Sequence, residues 1–146
     1  MQSPVTLIID AKGLILGRMA SIVAKHLLQG NNVIILNAEK ATISGKKKQI
    51  VDNTKNFLQV GHPRKGPYHQ RRPDRIVRRT IRGMLPIKKP KGLQAFKRLR
   101  VYLGNPLEFK DEKIQTILNA RIDKLKSSYI TVGELAKEIG WNPEVE

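Results

Sequence analysis

Four arginines recur at Arg75, Arg78, Arg79 and Arg82, the i, i+3, i+4, i+7 spacing that sets all of them along one face of an α-helix. A guanidinium group is planar, permanently charged and able to pair bidentately with phosphate, so such a row is chemistry for gripping a polyanion. No carboxylate follows Asp74 on this helix. The row is therefore expected to lack a partner within the chain and to take its anions from outside. Further cations crowd the same region: Lys46, Lys47 and Lys48; Arg64, Lys65, Arg71 and Arg72; Lys88, Lys89 and Lys91; Lys97, Arg98 and Arg100. Between Lys46 and Arg100 there are 18 Lys or Arg against two acids, Asp52 and Asp74, while the rest of the chain holds 10 of each sign. That window carries the whole net charge of +16. A merely solubilising face would intersperse carboxylates among the cations.

The remaining residues carry no pattern of other chemistry. With no cysteine in 146 residues, disulfides, thiolate metal ligands and thiol catalysis are excluded, which suits a reducing, cytoplasmic setting. His26 lies on a helix, and His62 and His69 sit beside arginines with no carboxylate at metal-ligand spacing. The latter two are either hydrogen-bond donors to a nucleic acid or plain loop residues. Gly13 and Gly17 stand between a strand and a helix, but GLILG is not the G-x-G-x-x-G of a dinucleotide site. Ser44-Gly45-Lys46 resembles the end of a phosphate loop whose earlier glycine is missing, Lys40 standing there instead. No catalytic residue, metal site, cofactor or small-molecule substrate is predicted. The charge and a pI near 10.4 point to nucleic acid first and an anionic membrane surface second. Aromatics make up 5% of the chain, few for a domain that grips single strands by stacking, which favours recognition of shape and phosphate. A DNA binder presenting the arginine helix to a major groove, and an enzyme acting on RNA, stand as the alternatives.

The elements that must position these groups follow from patterning. VTLII at 5–9 and VIIL at 33–36 are continuous β-branched runs of buried strands. Between them, 17–29 predicts a helix burying Met19, Ala20, Val23 and Leu27, and Gly30-Asn31-Asn32 ends it. Strand, helix and strand within this span make a right-handed βαβ unit. A helix is expected from Lys46 to Leu58, capped by Ser44, with Ile50, Val51, Thr54, Phe57 and Leu58 on its apolar side. Residues 61–73 and 87–92, rich in proline and glycine, predict two basic loops flanking the arginine helix. That helix opens at Pro73, stops at Pro86 and turns Ile76, Val77, Thr80, Ile81, Met84 and Leu85 inward. LRVYL at 99–103 reads as a further strand. Ile114, Ile117, Leu118, Ile122 and Leu125 predict a helix over 108–126, and Thr131 with Glu134 predicts a capped last helix through Ile139. Trp141 is expected to pack that helix onto the body. The chain has the length of one domain and could bury roughly 70% of its unfolded surface. Neither a spanning helix nor an export signal is expected.

Three stretches carry a family resemblance: DAKGLILGRMASIVAK at 10–25, Asn37-Ala38-Glu39 with Ile43-Ser44-Gly45-Lys46, and IRGMLPIKKPKGLQAFKRLRVYLG at 81–104. Together they resemble the universal large-subunit ribosomal proteins of the L-thirteen family over roughly residues 5–105. The resemblance implies a three-layer α/β/α fold around a small, largely parallel four-stranded sheet. It also implies a non-enzymatic role in the cytoplasmic large subunit, binding and stabilising its folded RNA early in assembly beside neighbouring ribosomal proteins. On it, the lysines and arginines named above, together with His69, are the expected RNA-binding residues. The chain then divides into an α/β domain over 1–106 and a helical C-terminal extension over 107–146. The loop that bacterial members insert after the first helix is reduced here to Gly30-Asn31-Asn32, and the tail beyond Leu107 resembles the archaeal and eukaryotic extension. An archaeal source is expected.

Overall fold

In the computed structural model, which describes residues 3–145, the first apolar run forms β1 (Thr6–Asp10) and pairs in parallel with β2 (Asn32–Leu36). Their register sets Thr6 opposite Asn32 and Asp10 opposite Leu36. Helix α1 (Leu16–Leu28) connects them and buries Met19, Ala20, Val23 and Leu27 completely. Gly30, at φ +98°, supplies the left-handed turn that returns the chain to the sheet. The strand β4 (Leu99–Val101) lies parallel to β2 on its other side, so the order is β1-β2-β4.

The sheet has three strands where four were expected. Strands β3 (Thr42–Ser44) and β5 (Tyr129–Thr131) form a separate antiparallel ribbon instead. Beside β1 the place of a fourth strand is taken by a one-residue bridge. There the Gln115 amide donates to the Ile8 carbonyl at 2.8 Å, and its carbonyl accepts from the Asp10 amide at 3.0 Å. This blunts an edge that would otherwise offer unpaired backbone to another chain.

The bridge also explains why no helix spans 108–126. That segment holds three 3-10 turns, Leu107–Phe109, Leu118–Ala120 and Ile122–Lys124, and its backbone is committed elsewhere. Ile15 donates to the Ala120 carbonyl at 2.7 Å, and Ile122 donates to the Gly13 carbonyl at 2.9 Å. Its apolar residues do not share a face, since Ala120 is fully buried while Leu118 is 65% exposed. A strap laid along the body satisfies these groups better than a helix could.

The remaining helices are α2 (Lys47–Gln59), α3 (Pro73–Gly83), α4 (Pro90–Lys97) and α5 (Val132–Glu138). Ser44 does not cap α2: it ends β3, and α2 starts from Lys46 without a side-chain cap. Thr131 does cap α5, its hydroxyl accepting from the Glu134 amide at 3.2 Å. The second basic loop is shorter than expected, because Pro90, Lys91 and Gly92 form the first turn of α4. Gly92 is fixed there by a close approach, since a Cβ at this position would collide with the Pro86 carbonyl. Most of the buried apolar residues form one core around the sheet, α1 and α3. A smaller cluster of Val51, Ile130, Leu135 and Ile139 joins α2, β5 and α5.

Candidate nucleic-acid interface

Helix α3 is set into the core by Val77 and Ile81, both fully buried, and the chain just beyond it is held by buried Leu85. Met84, expected on the inner face, is 43% exposed, because it lies past the last helical residue at the C-cap. With its inner face fixed, the helix presents Arg75, Arg79 and Arg82 to solvent. Arg78 differs from its neighbours. It is half-buried, donates from Nη1 to the Leu99 carbonyl at 3.1 Å, and lies 4.3 Å above the centre of the Phe96 ring. The expectation that the row has no partner in the chain is therefore corrected at Arg78 and, through Gln70, at Arg75, although neither partner is an anion.

All four arginines line one groove of about 500 Å³, shared with Gln70, Asp74, Phe96 and Val101. It follows α3 against the end of α4 and the outer strand β4. Asp74 is the single acid lining it and is ion-paired with Arg72, its Oδ1 standing 3.3 Å from the arginine Nε. Arg75 is steadied by its Nη1 donating to Gln70 Oε1 at 3.3 Å. The groove thus gathers guanidinium charge with little to neutralise it.

The other expected residues fall into distinct settings. Arg98 is half-buried and its Nη1 donates to the Leu27 carbonyl at 2.9 Å, closing the C-terminal end of α1. Lys47 meets Glu138 of α5 at 3.8 Å on an exposed surface. Lys91 lies apart from the arginine groove, in a depression shared with Ser21, Lys25 and Met84. Lys46, Lys48, Arg64, Lys65, Arg71, Lys88, Lys89, Lys97 and Arg100 are exposed.

The 61–72 segment is a structured loop. His62 donates its amide to the Gly66 carbonyl at 3.1 Å, its Nδ1 accepts from the Arg64 amide at 3.2 Å, and Tyr68 donates its hydroxyl to the Pro63 carbonyl at 3.0 Å. His69 is half-buried against Phe57, the ring centres 3.9 Å apart. Phe57, assigned by periodicity to the inner side of α2, is 55% exposed because its partner is this loop. The concavities here are also lined by Phe57, Tyr68, Gln70 and Phe96, none of which a count of cations singles out. Three of them carry a sequence signal, as aromatic residues placed just before, within and after the basic runs, and Gln70 carries none.

The Asn37-Ala38-Glu39 stretch serves the scaffold. Asn37, at φ +55°, donates from Nδ2 to Asp10 Oδ1 at 2.9 Å, and Glu39 Oε2 accepts from the Gly104 amide at 3.0 Å. These bonds tie together the segments that leave β1, β2 and β4. Among the described residues no group of three or more His, Cys, Asp or Glu could hold a metal ion. No helix there is long and apolar enough to cross a membrane.

Comparison with known proteins adds the decisive observation: the profile of the family described as Ribosomal protein L13 matches residues 5–108. The chain belongs to that family. It is 50% identical over 135 residues to large ribosomal subunit protein uL13 of Methanosarcina barkeri, an alignment covering 91% of this chain and 96% of that one. The uL13 of Methanocaldococcus jannaschii is 49% identical over 138 residues, with the same two coverages. That of Methanopyrus kandleri is 44% identical over 137 residues, covering 92% of this chain and 86% of its own. These L13 relatives are archaeal, one of the two groups whose extension the tail beyond Leu107 resembles.

Proposed function

We propose that the chain is a structural, non-enzymatic constituent of the cytoplasmic large ribosomal subunit that binds folded large-subunit rRNA, stabilises it and helps it assemble early. Neighbouring ribosomal proteins are its other partners, and its body is layered α/β/α, as the family implies. The observation that carries this reading is the arginine groove along α3, where four guanidiniums share one concavity with a single acid already paired to Arg72. Phosphates spaced along a folded RNA strand supply the missing anions. The exposed cations of Lys46–48, the 61–72 loop and the Lys88–Lys89 turn extend the contact on either side, while the βαβ core holds them rigid.

The test is binding to large-subunit rRNA across a salt series. Engagement of about eight phosphates gives a log–log salt slope of about −6 to −7, and replacing Arg75, Arg79 and Arg82 together by Gln flattens it by about 2–3. A slope of −2 or shallower in the unaltered protein refutes extensive phosphate contact. Matched-salt competition by duplex DNA decides against the major-groove alternative if structured RNA wins.

A further inference from the structure

Next to the arginine groove lies a second, smaller concavity of about 260 Å³, enclosed by α2, the 61–72 loop, α3 and α5. Its chemistry is different. Phe57 and Leu58 come from α2, Tyr68 and His69 from the loop, Ile76 from α3, and Leu135 from α5. Phe57 and Tyr68 are 55% and 70% exposed, a costly way to place aromatic rings that no core contact explains. Both are nevertheless held still: Phe57 against the His69 ring at 3.9 Å, and Tyr68 by its hydroxyl bond to Pro63. Gln70 and Arg79 line both concavities, so the apolar pocket opens where the guanidinium row ends on that side.

From this juxtaposition we infer that the pocket receives one unstacked nucleobase of the bound RNA, with the flanking phosphates on the arginine groove. The inference rests on the RNA-binding reading above. A strand whose phosphates follow Arg75 and Arg79 delivers its bases to the adjoining surface, and an unpaired base seeks an aromatic or guanidinium face on which to stack. The pocket lies just below the usual range for drug-sized ligands, roughly 300–1,000 Å³, which suits a single flat ring system. Gln70 offers both an amide donor and a carbonyl acceptor at the shared rim, able to meet the polar edge of a base. This contact adds to a fold that otherwise reads phosphate and shape, and it gives the interface a site that duplex regions cannot fill.

Ultraviolet cross-linking of the full chain to large-subunit rRNA, mapped by mass spectrometry, tests the inference together with binding of ring-deleting and ring-keeping variants. Expected are nucleotide adducts on Phe57, Tyr68 or His69. Tyr68→Leu and Phe57→Leu should each weaken binding on the order of tenfold, with the salt slope unchanged because no phosphate contact is lost. Phe57→Tyr keeps a ring and should bind like the unaltered protein, and Tyr68→Phe, which keeps the ring but loses the bond to Pro63, should lose clearly less than Tyr68→Leu. Melting curves of all four variants establish that the fold is retained. Ring-deleted variants that bind at full strength, with adducts confined to other residues, overturn the base pocket while leaving phosphate binding standing. A cross-link from this pocket to a neighbouring ribosomal protein in intact large subunits overturns it in favour of a protein occupant. If the unaltered chain does not bind the RNA at all, the underlying reading fails and the base pocket with it.

Discussion

Replacing Arg78 by Ala removes two kinds of interaction at once, and the cost follows from where its guanidinium sits. In the ladder between β2 and β4, the Arg98 carbonyl accepts from the Val33 amide, so the next carbonyl, that of Leu99, points away from β2. As β4 is the outer strand, no further strand among the described residues meets that oxygen, and Arg78 Nη1 supplies its hydrogen bond at 3.1 Å. A bond from a charged donor contributes about 1.5–3 kcal/mol. The guanidinium 4.3 Å over Phe96 adds about 0.5–2 kcal/mol. Because the two share one side chain they do not simply add. About 2–4 kcal/mol is expected, which for a domain of this size lowers Tm by about 5–15 °C. Arg79→Ala and Arg82→Ala touch no such partner and should melt within about 2 °C of the unaltered protein, since exposed substitutions fall within about 0.5 kcal/mol. Thermal unfolding of the three variants in one buffer decides the matter. If Arg78→Ala melts with the other two, the guanidinium does not close the sheet edge and the row is equivalent along its length. RNA binding supplies the complementary readout, in which Arg79→Ala and Arg82→Ala each flatten the salt slope by about 1.

Three further substitutions probe the scaffold. Arg98→Met keeps the aliphatic stem but removes the charged donor from the Leu27 carbonyl, which keeps its bond from the Gly30 amide at 3.1 Å, and should cost about 1–1.5 kcal/mol in denaturant unfolding; an unchanged midpoint would show that the backbone donor and water suffice. Gly92→Ala drives a methyl group into the Pro86 carbonyl and should destabilise by about 1–3 kcal/mol or more, readable as a lower Tm, because both partners are backbone. Stability equal to the unaltered protein would mean that the turn from Pro86 to Pro90 yields freely. Ile81→Ala empties a fully buried position on the inner face of α3 and should cost about 2–5 kcal/mol; full retention of stability would reverse the assignment of that helix's faces.

The parts legible in the sequence were those whose pattern and environment agree. Periodicity located α1 and α3 because one face of each meets the core and the other meets solvent. The β-branched runs located β1 and β2 because parallel strands are buried on both sides. The segment at 108–126 defeated the same reasoning. Its apolar residues have helical spacing, yet Gln115 and Ala120 are bound through their backbones to β1 and to the turn before α1. No local pattern records such a distant partner. For the same reason the missing fourth strand was not foreseen, since a single bridge at Gln115 does its work at the sheet edge. Phe57 shows a third kind of failure. Helical phase assigned it inward, but the phase says only which residues share a face, and α2 turns that part of its face toward the 61–72 loop.

The arginine row illustrates why charge counting and geometry have to be joined. The sequence treats Arg75, Arg78, Arg79 and Arg82 as equals, and the surplus of 16 positive charges between Lys46 and Arg100 assigns them all to an external anion. In the fold, Arg78 serves two roles. One Nη donor completes the edge of β4, and the face of its guanidinium covers Phe96, yet the same group still lines the groove. A guanidinium has five donors, so holding one carbonyl leaves others for a phosphate. Lysine could not do both, because a point charge has no flat face to lay on Phe96. The side chain that closes the sheet edge is thus the one that anchors the groove to the core. On the proposed reading, phosphates gathered there would press on a rigid wall, and that rigidity would let a row on a helix of only 11 residues hold folded RNA in a fixed register.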